Sequence, residues 1–304
     1  MAALTEPSQP RVHRWWPFVL LLLAGASRWI VAAVRPEADS TLASEAVGCA
    51  WAALLSLAFC SRQPKKATPQ RTFSRAARIR WLLAGAMIFG GPAVALLIRG
   101  RELDAGSLTI ALALTPIVIA IAASALGTET PDGIAGRIWP GLAAVAGLLL
   151  VLAQPTLGDA RNDLALVLAP ALTGIGAALF CVDQPATASR VTSALVGASA
   201  LFALALAETY FVAGSRPSIS LLAVACDGVL ALLGVVALVQ IGATRWSSQF
   251  TWIPLLIVIE GIALVRPELT AHWVIGLALL AVASIYLLLP QGDEPNSGTS
   301  TVLD

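Results

Sequence analysis

Long apolar runs alternate with short polar breaks along this chain, and ten of the runs approach the length of a membrane helix. They are Trp15 to Val34, Ser44 to Cys60, Trp81 to Ile98, Leu108 to Leu126, Ile138 to Ala153, Leu164 to Val182, Val191 to Gly214, Ile219 to Ala243, Trp246 to Val265 and Ala271 to Leu289. Within each run Leu, Ala, Val and Ile follow one another without the period-2 alternation of a barrel strand, so each predicts a helix. A hydrocarbon layer of about 30 Å takes roughly 20 helical residues, and only the second and fifth runs fall clearly short. The expected fold is an all-α polytopic membrane protein of ten transmembrane helices.

Composition sharpens this expectation. The chain is 58% hydrophobic and 12% charged, with a mean hydropathy of +0.82, whereas about a quarter of the residues in a soluble domain are charged. In lipid every backbone N–H and C=O must be paired internally, which favours helical bundles. A net charge of +1 with no basic stripe argues against a nucleic-acid partner. Cys49, Cys60, Cys181 and Cys226 lie in or at the ends of the runs with no ligand spacing among them, and read as small apolar fillers. No cofactor, metal cluster or catalytic set is expected. The N-terminal segment has Arg11, His13 and Arg14 before an apolar core and Ala24-Gly25-Ala26, as a secretory signal would. The run continues to Val34, which favours a retained helix over cleavage. The acidic, Ser/Gly/Pro-bearing tail from Gln291 to Asp304 predicts disorder.

Charge also orients the chain. Between the second and third runs stand seven basic residues, Arg62, Lys65, Lys66, Arg71, Arg75, Arg78 and Arg80, with no acid among them, and such a loop stays cytoplasmic. That choice leaves 12 Lys and Arg inside and 6 outside, with Arg28 within a span, and puts both termini in the cytoplasm. It also sets Trp15, Trp16, Trp81, Trp139 and Trp246 at inner ends and Trp273 at an outer end, as an interfacial aromatic belt requires. The basic loop could hold anionic headgroups as well.

The runs fall into two sets of five. Leu108 to Ala120 carries Pro116 and Ser247 to Ile259 carries Pro254, each near mid-span. Each is followed by more apolar chain, a polar turn with Glu129 or Glu268, and a final helix bearing Trp and Gly141 or Gly276. The expected organisation is a cytoplasmic segment 1–14, a five-helix repeat 15–153, a second repeat 164–289 and a tail 290–304. Five spans per copy would invert the second copy and place a substrate between the halves. A mid-span Pro kinks its helix and frees a carbonyl, so Pro116 and Pro254 are candidate cavity positions.

With these features, Gly127-Thr-Glu129 and Pro267-Glu268-Leu-Thr270 included, the chain resembles the EamA branch of the drug/metabolite transporter superfamily over nearly its whole length. It departs from the family's pattern in the inserted Thr128, in the absence of Gly from Val265-Arg-Pro-Glu268, and in Ser27-Arg28-Trp29 where a Trp-Gly pair is often seen. The resemblance implies a proton-driven or exchange-type carrier of small metabolites, often an exporter.

Ionisable groups inside spans are costly and mark function. Arg28, Glu208, Asp227 and Glu260 all fall in the expected outer half, about 8 to 12 Å from its boundary at 1.5 Å per residue. One cation faces three acids, so Arg28 is expected to pair with one acid while the others take protons or substrate. Snorkelling to the headgroups is the alternative for each. Asp227 has no partner within its own helix, and Tyr210 beside Glu208 is a candidate hydrogen-bond donor to substrate. Glu45, near a helix N-terminus, is explained by the dipole. The glycines Gly85, Gly90, Gly91, Gly174, Gly176 and Gly197, with Ala143 and Gly147, read as packing positions, and Gly90-Gly91-Pro92 also as a hinge.

The expected function is secondary-active transport of a small polar or amphipathic metabolite in the cell inner membrane, with proton coupling and homodimer formation open. The partners are a small-molecule substrate and membrane lipids. The alternative is a non-transporting scaffold or sensor. An intramembrane enzyme is less favoured, because the two histidines, His13 and His272, and the lack of HExxH, GxSxG or Walker A motifs offer no catalytic set.

Overall fold

In the computed structural model, residues 15–34, 41–62, 74–99, 105–127, 131–152, 160–182, 188–208, 219–265 and 270–289 are described, and they are helical with short turns. The helices are α1 (Trp16–Val34), α2 (Thr41–Arg62), α3 (Arg75–Arg99), α4 (Ala105–Leu112), α5 (Thr115–Ala125), α6 (Pro131–Val151), α7 (Ala160–Cys181), α8 (Ala188–Ala198), α9 (Leu201–Glu208), α10 (Leu221–Ser247), α11 (Gln249–Val265) and α12 (Ala271–Leu288). Among the described residues five stretches are long and apolar enough to cross a membrane: Gly106–Ala125, Leu164–Cys181, Ser189–Ala207, Leu221–Ala243 and Ala271–Leu288. Trp16–Ser27, Leu42–Ala58 and Gly136–Val151 are shorter apolar helices. The N-terminal segment, most of the basic loop and the C-terminal tail lie outside the described residues.

Many of the bundle's large apolar side chains lie on the outside. On α10, Ala223, Val224, Asp227, Gly228 and Ala231 face inward while Leu221, Leu222 and Val229 face out, and the same inversion repeats around the surface, with Leu221 85% and Trp139 74% exposed. Water would not tolerate so continuous an apolar surface, but lipid tails are its natural solvent. The buried interior is correspondingly rich in alanine, because in lipid it is close approach of backbones that holds helices together. This is a membrane protein.

Glycine sets the closest approaches. A Cβ on Gly48 of α2 would lie 2.7 Å from the Gly228 nitrogen of α10, and one on Gly228 would lie 2.9 Å from the Gly48 oxygen. Gly147 of α6 and Gly276 of α12 oppose each other in the same way: a Cβ on either would lie 2.7 or 2.8 Å from the other's carbonyl oxygen. Gly85 of α3 meets the Ala194 backbone of α8, and Gly197 meets that of Leu82. A Cβ on Gly176 of α7 would lie 2.9 Å from the Ala84 carbonyl oxygen of α3. The principal packings are therefore α3 with α7 and α8, α2 with α8 and α10, α1 with α10 and α11, α5 with α6 and α7, and α6 and α11 with α12.

Two apolar runs are each split in two. The fourth breaks at Ala113 and Leu114 into α4 and α5, with Pro116 in the first turn of α5. Pro116 thus starts a new helix where a kink was expected, as suits a residue lacking the N–H a helix interior needs. Its sequence counterpart Pro254 sits inside an unbroken α11, so the match between the two prolines does not extend to their local structure. The seventh run breaks at Ser199 and Ala200, between α8 and α9. Gly242 has φ +79°, a conformation only glycine adopts freely, and interrupts α10 before its last turn.

The aromatic belt needs a correction. Trp16 and Trp139 are exposed, but Trp81 and Trp246 are only 1% and 3% exposed and belong to the main core cluster. Trp246 meets Phe250 edge-on at 5.4 Å. Position at a span end permits interfacial anchoring without requiring it, because the helix face decides whether the ring meets lipid or protein.

Candidate functional site

Asp227 is 5% exposed, and the hydroxyl of Ser44 donates a 2.8 Å hydrogen bond to its Oδ2. Sequence dictates how they meet. Ser44 and Gly48 are four residues apart and share one face of α2, and the Gly48–Gly228 contact draws α2 against α10 at the level where Asp227 faces in. An aspartate in a bilayer is tolerated only on such a protected face with a polar partner. Glu45, the neighbour of Ser44, is half-buried.

The other expected site residues are placed less closely. Glu260 is half-buried on α11, Arg28 lies on α1 and Glu208 ends α9. The side chains of Arg28 and Glu208, and the whole of Tyr210, lie outside the described residues. At the level of helices, α1, α10 and α11 pack together and α2 joins them through α10. Gly25 of α1, one turn before Arg28, would place a Cβ 2.6 Å from Ile253 of α11. The structure therefore gathers the helices that carry Arg28, Asp227 and Glu260, while α9 packs on α2 and α3.

A second polar locus is the break between α4 and α5. Thr115 is fully buried, and its hydroxyl has no hydrogen-bond partner. The N–H groups of Ile117 and Val118 both turn to the Leu114 carbonyl, and Pro116 has no N–H to give Leu112. Val118 packs on Gly174 of α7 and Ile117 on Gly141 of α6, each near 2.6 Å from an ideal Cβ. Those glycines seat the broken helix in the bundle. Open space also lies inside the bundle: Gly90 of α3 is buried, yet a Cβ there would meet nothing within 4 Å. Gly234 of α10 is also buried, with only Leu21 at 3.9 Å.

The third locus lies at the end of the bundle that carries the α10–α11 connection. Arg190, in the first turn of α8, is buried with its guanidinium 4.1 Å above the Phe180 ring and donating to the Phe180 carbonyl. Arg245 lies over the Trp15 ring at 5.3 Å. Ser56 of α2 and Thr192 of α8 share a 2.6 Å hydrogen bond between hydroxyls. Among the described residues no three His, Cys, Asp or Glu side chains gather as a metal site would need.

No protein-family model matches this chain, and no curated protein does. In fold, 24 chains of solved structures match. One of them, a crystal structure described only as that of a protein, superposes with a TM-score of 0.63 at 13% identity, over 91% of this chain and 98% of that one. The likeness is one of fold alone.

Ser44, Thr115 and Arg190 escape sequence reasoning for different reasons. Serine and threonine are ordinary in membrane helices, so neither stands out before its neighbours are known. Arg190 falls just before the seventh apolar run and reads as a loop charge, but α8 begins at Ala188 and takes it into the core.

Proposed function

We propose that this protein is a secondary-active carrier of a small polar or amphipathic metabolite, built of ten spans in two inverted halves that alternate in access. The observation that carries the reading is a symmetry in helix packing. Let α4 and α5 count as one span, and α8 and α9 as another, and exchange each span with the one five places on. The pair α1–α10 then becomes α7–α3, α2–α10 becomes α8–α3, α1–α11 becomes α7–α5, and α5–α6 becomes α11–α12; each pair packs. The pairs α2–α8 and α6–α12 map onto themselves. An odd number of spans per copy inverts the second copy, the plan on which many carriers rock about a central site.

Two features favour transport over a structural role. Asp227 is buried where a helix of one half meets a helix of the other, and a buried acid in a bilayer is too costly to keep without use. Gly90 and Gly234, both buried beside open space, stand on α3 and α10, which this exchange equates. Excess positive charge in the loop after α2 supports an inner-membrane orientation with both termini cytoplasmic. The features that resemble the EamA branch fit the same reading.

The test is reconstitution. Liposomes holding the protein and a trapped pH-sensitive dye are given a pH gradient and a panel of radiolabelled amino acids, organic cations and organic acids. Movement of at least one compound class, lost in Asp227→Asn but not in Glu45→Gln, is expected. No movement across the panel, or two termini labelled from opposite sides, overturns the proposal.

A further inference from the structure

The connection from α10 to α11 holds a group of buried polar residues, several of them joined by hydrogen bonds. Ser248 donates from its hydroxyl to the Arg245 carbonyl at 2.7 Å, and Thr251 donates to the Ser248 carbonyl at 2.9 Å. Ser284 of α12 reaches Thr251 at 2.8 Å and the Leu280 carbonyl at 2.7 Å, and the Trp252 indole donates to the Ser284 carbonyl at 3.1 Å. In the same turn the indole N–H of Trp246 and the carboxamide nitrogen of Gln249 are buried with no acceptor. The two residues are 3% and 7% exposed.

We propose that the start of α11, where these two donors are buried, binds an oxyanion. The unmet groups are N–H donors, and a buried donor without an acceptor calls for one. They stand at the N-terminus of a 17-residue helix, whose partial positive charge and first N–H groups favour an anion. Two guanidiniums add to the potential. Arg245 immediately precedes Trp246, and Arg190 is brought to this end of α10 through Cys181, whose thiol lies against both Arg190 and the Ala243 backbone. The described carboxylates on these two helices are remote: Glu260 is eleven residues along α11, about 16 Å, and Asp227 further still. Two sources offer the same chemistry, the carboxylate of a small organic acid and the phosphate of a lipid headgroup. The site does not depend on whether the protein transports.

The experiment follows thermal unfolding of the purified full chain. In dodecyl maltoside, sodium benzoate is titrated against sodium chloride at equal ionic strength. In nanodiscs, phosphatidylcholine is compared with a phosphatidylcholine/phosphatidylglycerol mixture. A saturable rise in Tm of about 3 °C is expected from binding at ten times Kd. A rise with benzoate in detergent assigns the site to a free carboxylate, and a rise only with phosphatidylglycerol assigns it to a headgroup phosphate. Trp246→Phe, which keeps a ring and loses the N–H, should shift the titration midpoint about tenfold, and Gln249→Glu should abolish the response. Gln249→Met removes the orphan donor, so without anion its Tm should equal or exceed that of the wild type while its response is lost. No rise in either arm, a rise unchanged in the variants, or a lower anion-free Tm in Gln249→Met overturns the proposal.

Discussion

Ser44 and Asp227, separated by 183 residues of chain, share a 2.8 Å hydrogen bond inside the bundle. Removing the hydroxyl withdraws a donor from a buried carboxyl group, and losses of that kind cost about 1–3 kcal/mol. Ser44→Ala should therefore lower Tm, and Asp227→Asn should lower it less, since a carboxamide oxygen still accepts from Ser44. Combining Ser44→Ala with Asp227→Ala should cost less than the sum of the two, a coupling that a double-mutant cycle read by thermal unfolding would detect.

Gly48 makes that bond possible. A methyl group there would sit 2.7 Å from the Gly228 nitrogen and 2.9 Å from the Asp227 Cβ, contacts that backbone cannot relieve without moving α2 away from α10. Gly48→Ala should destabilise the protein by about 1–3 kcal/mol. If the Ser44 bond is lost with it, adding Ser44→Ala to Gly48→Ala should have little further effect on Tm.

Adjacent glycines on α3 should respond oppositely to the same change. A Cβ on Gly91 would meet the Ala169 carbonyl of α7 at 2.5 Å, whereas one on Gly90 would meet nothing within 4 Å. Gly91→Ala is expected to lower Tm by several degrees, with Gly90→Ala neutral or slightly stabilising through reduced backbone freedom in the unfolded chain. A cysteine at position 90 should react with a small membrane-permeant thiol reagent if the open space there is part of the carrier's pathway.

At the break between α4 and α5, replacing Pro116 restores an N–H that can reach the Leu112 carbonyl and lets one helix run through. Pro116→Ala should leave Tm unchanged or raise it. If the break serves transport, the same variant should slow substrate movement in liposomes.

Arg190 is held by the face of Phe180 as well as by its carbonyl, an arrangement suited to a planar guanidinium. Arg190→Lys should therefore fail to replace it, with a loss of stability close to that of Arg190→Gln, measured by unfolding of the detergent-solubilised protein.

The all-helical membrane character was legible in the sequence, because the length and apolarity of a run decide whether it can pair its backbone in lipid, and both are local properties. Intramembrane charge marked Asp227 for the same reason: its cost depends on depth along one helix. What the linear pattern could not supply was the face each residue presents to a neighbour. Trp81 and Trp246 were expected at span ends facing the interface, yet they point into protein. Pro116 and Pro254 match in sequence, but only the first begins a new helix. Ser44, Thr115, Trp246 and Gln249 gained their interest solely from what surrounds them after folding. Apolar length is written residue by residue, whereas hydrogen-bond satisfaction is a relation between helices, and only their packing decides which donors and acceptors meet.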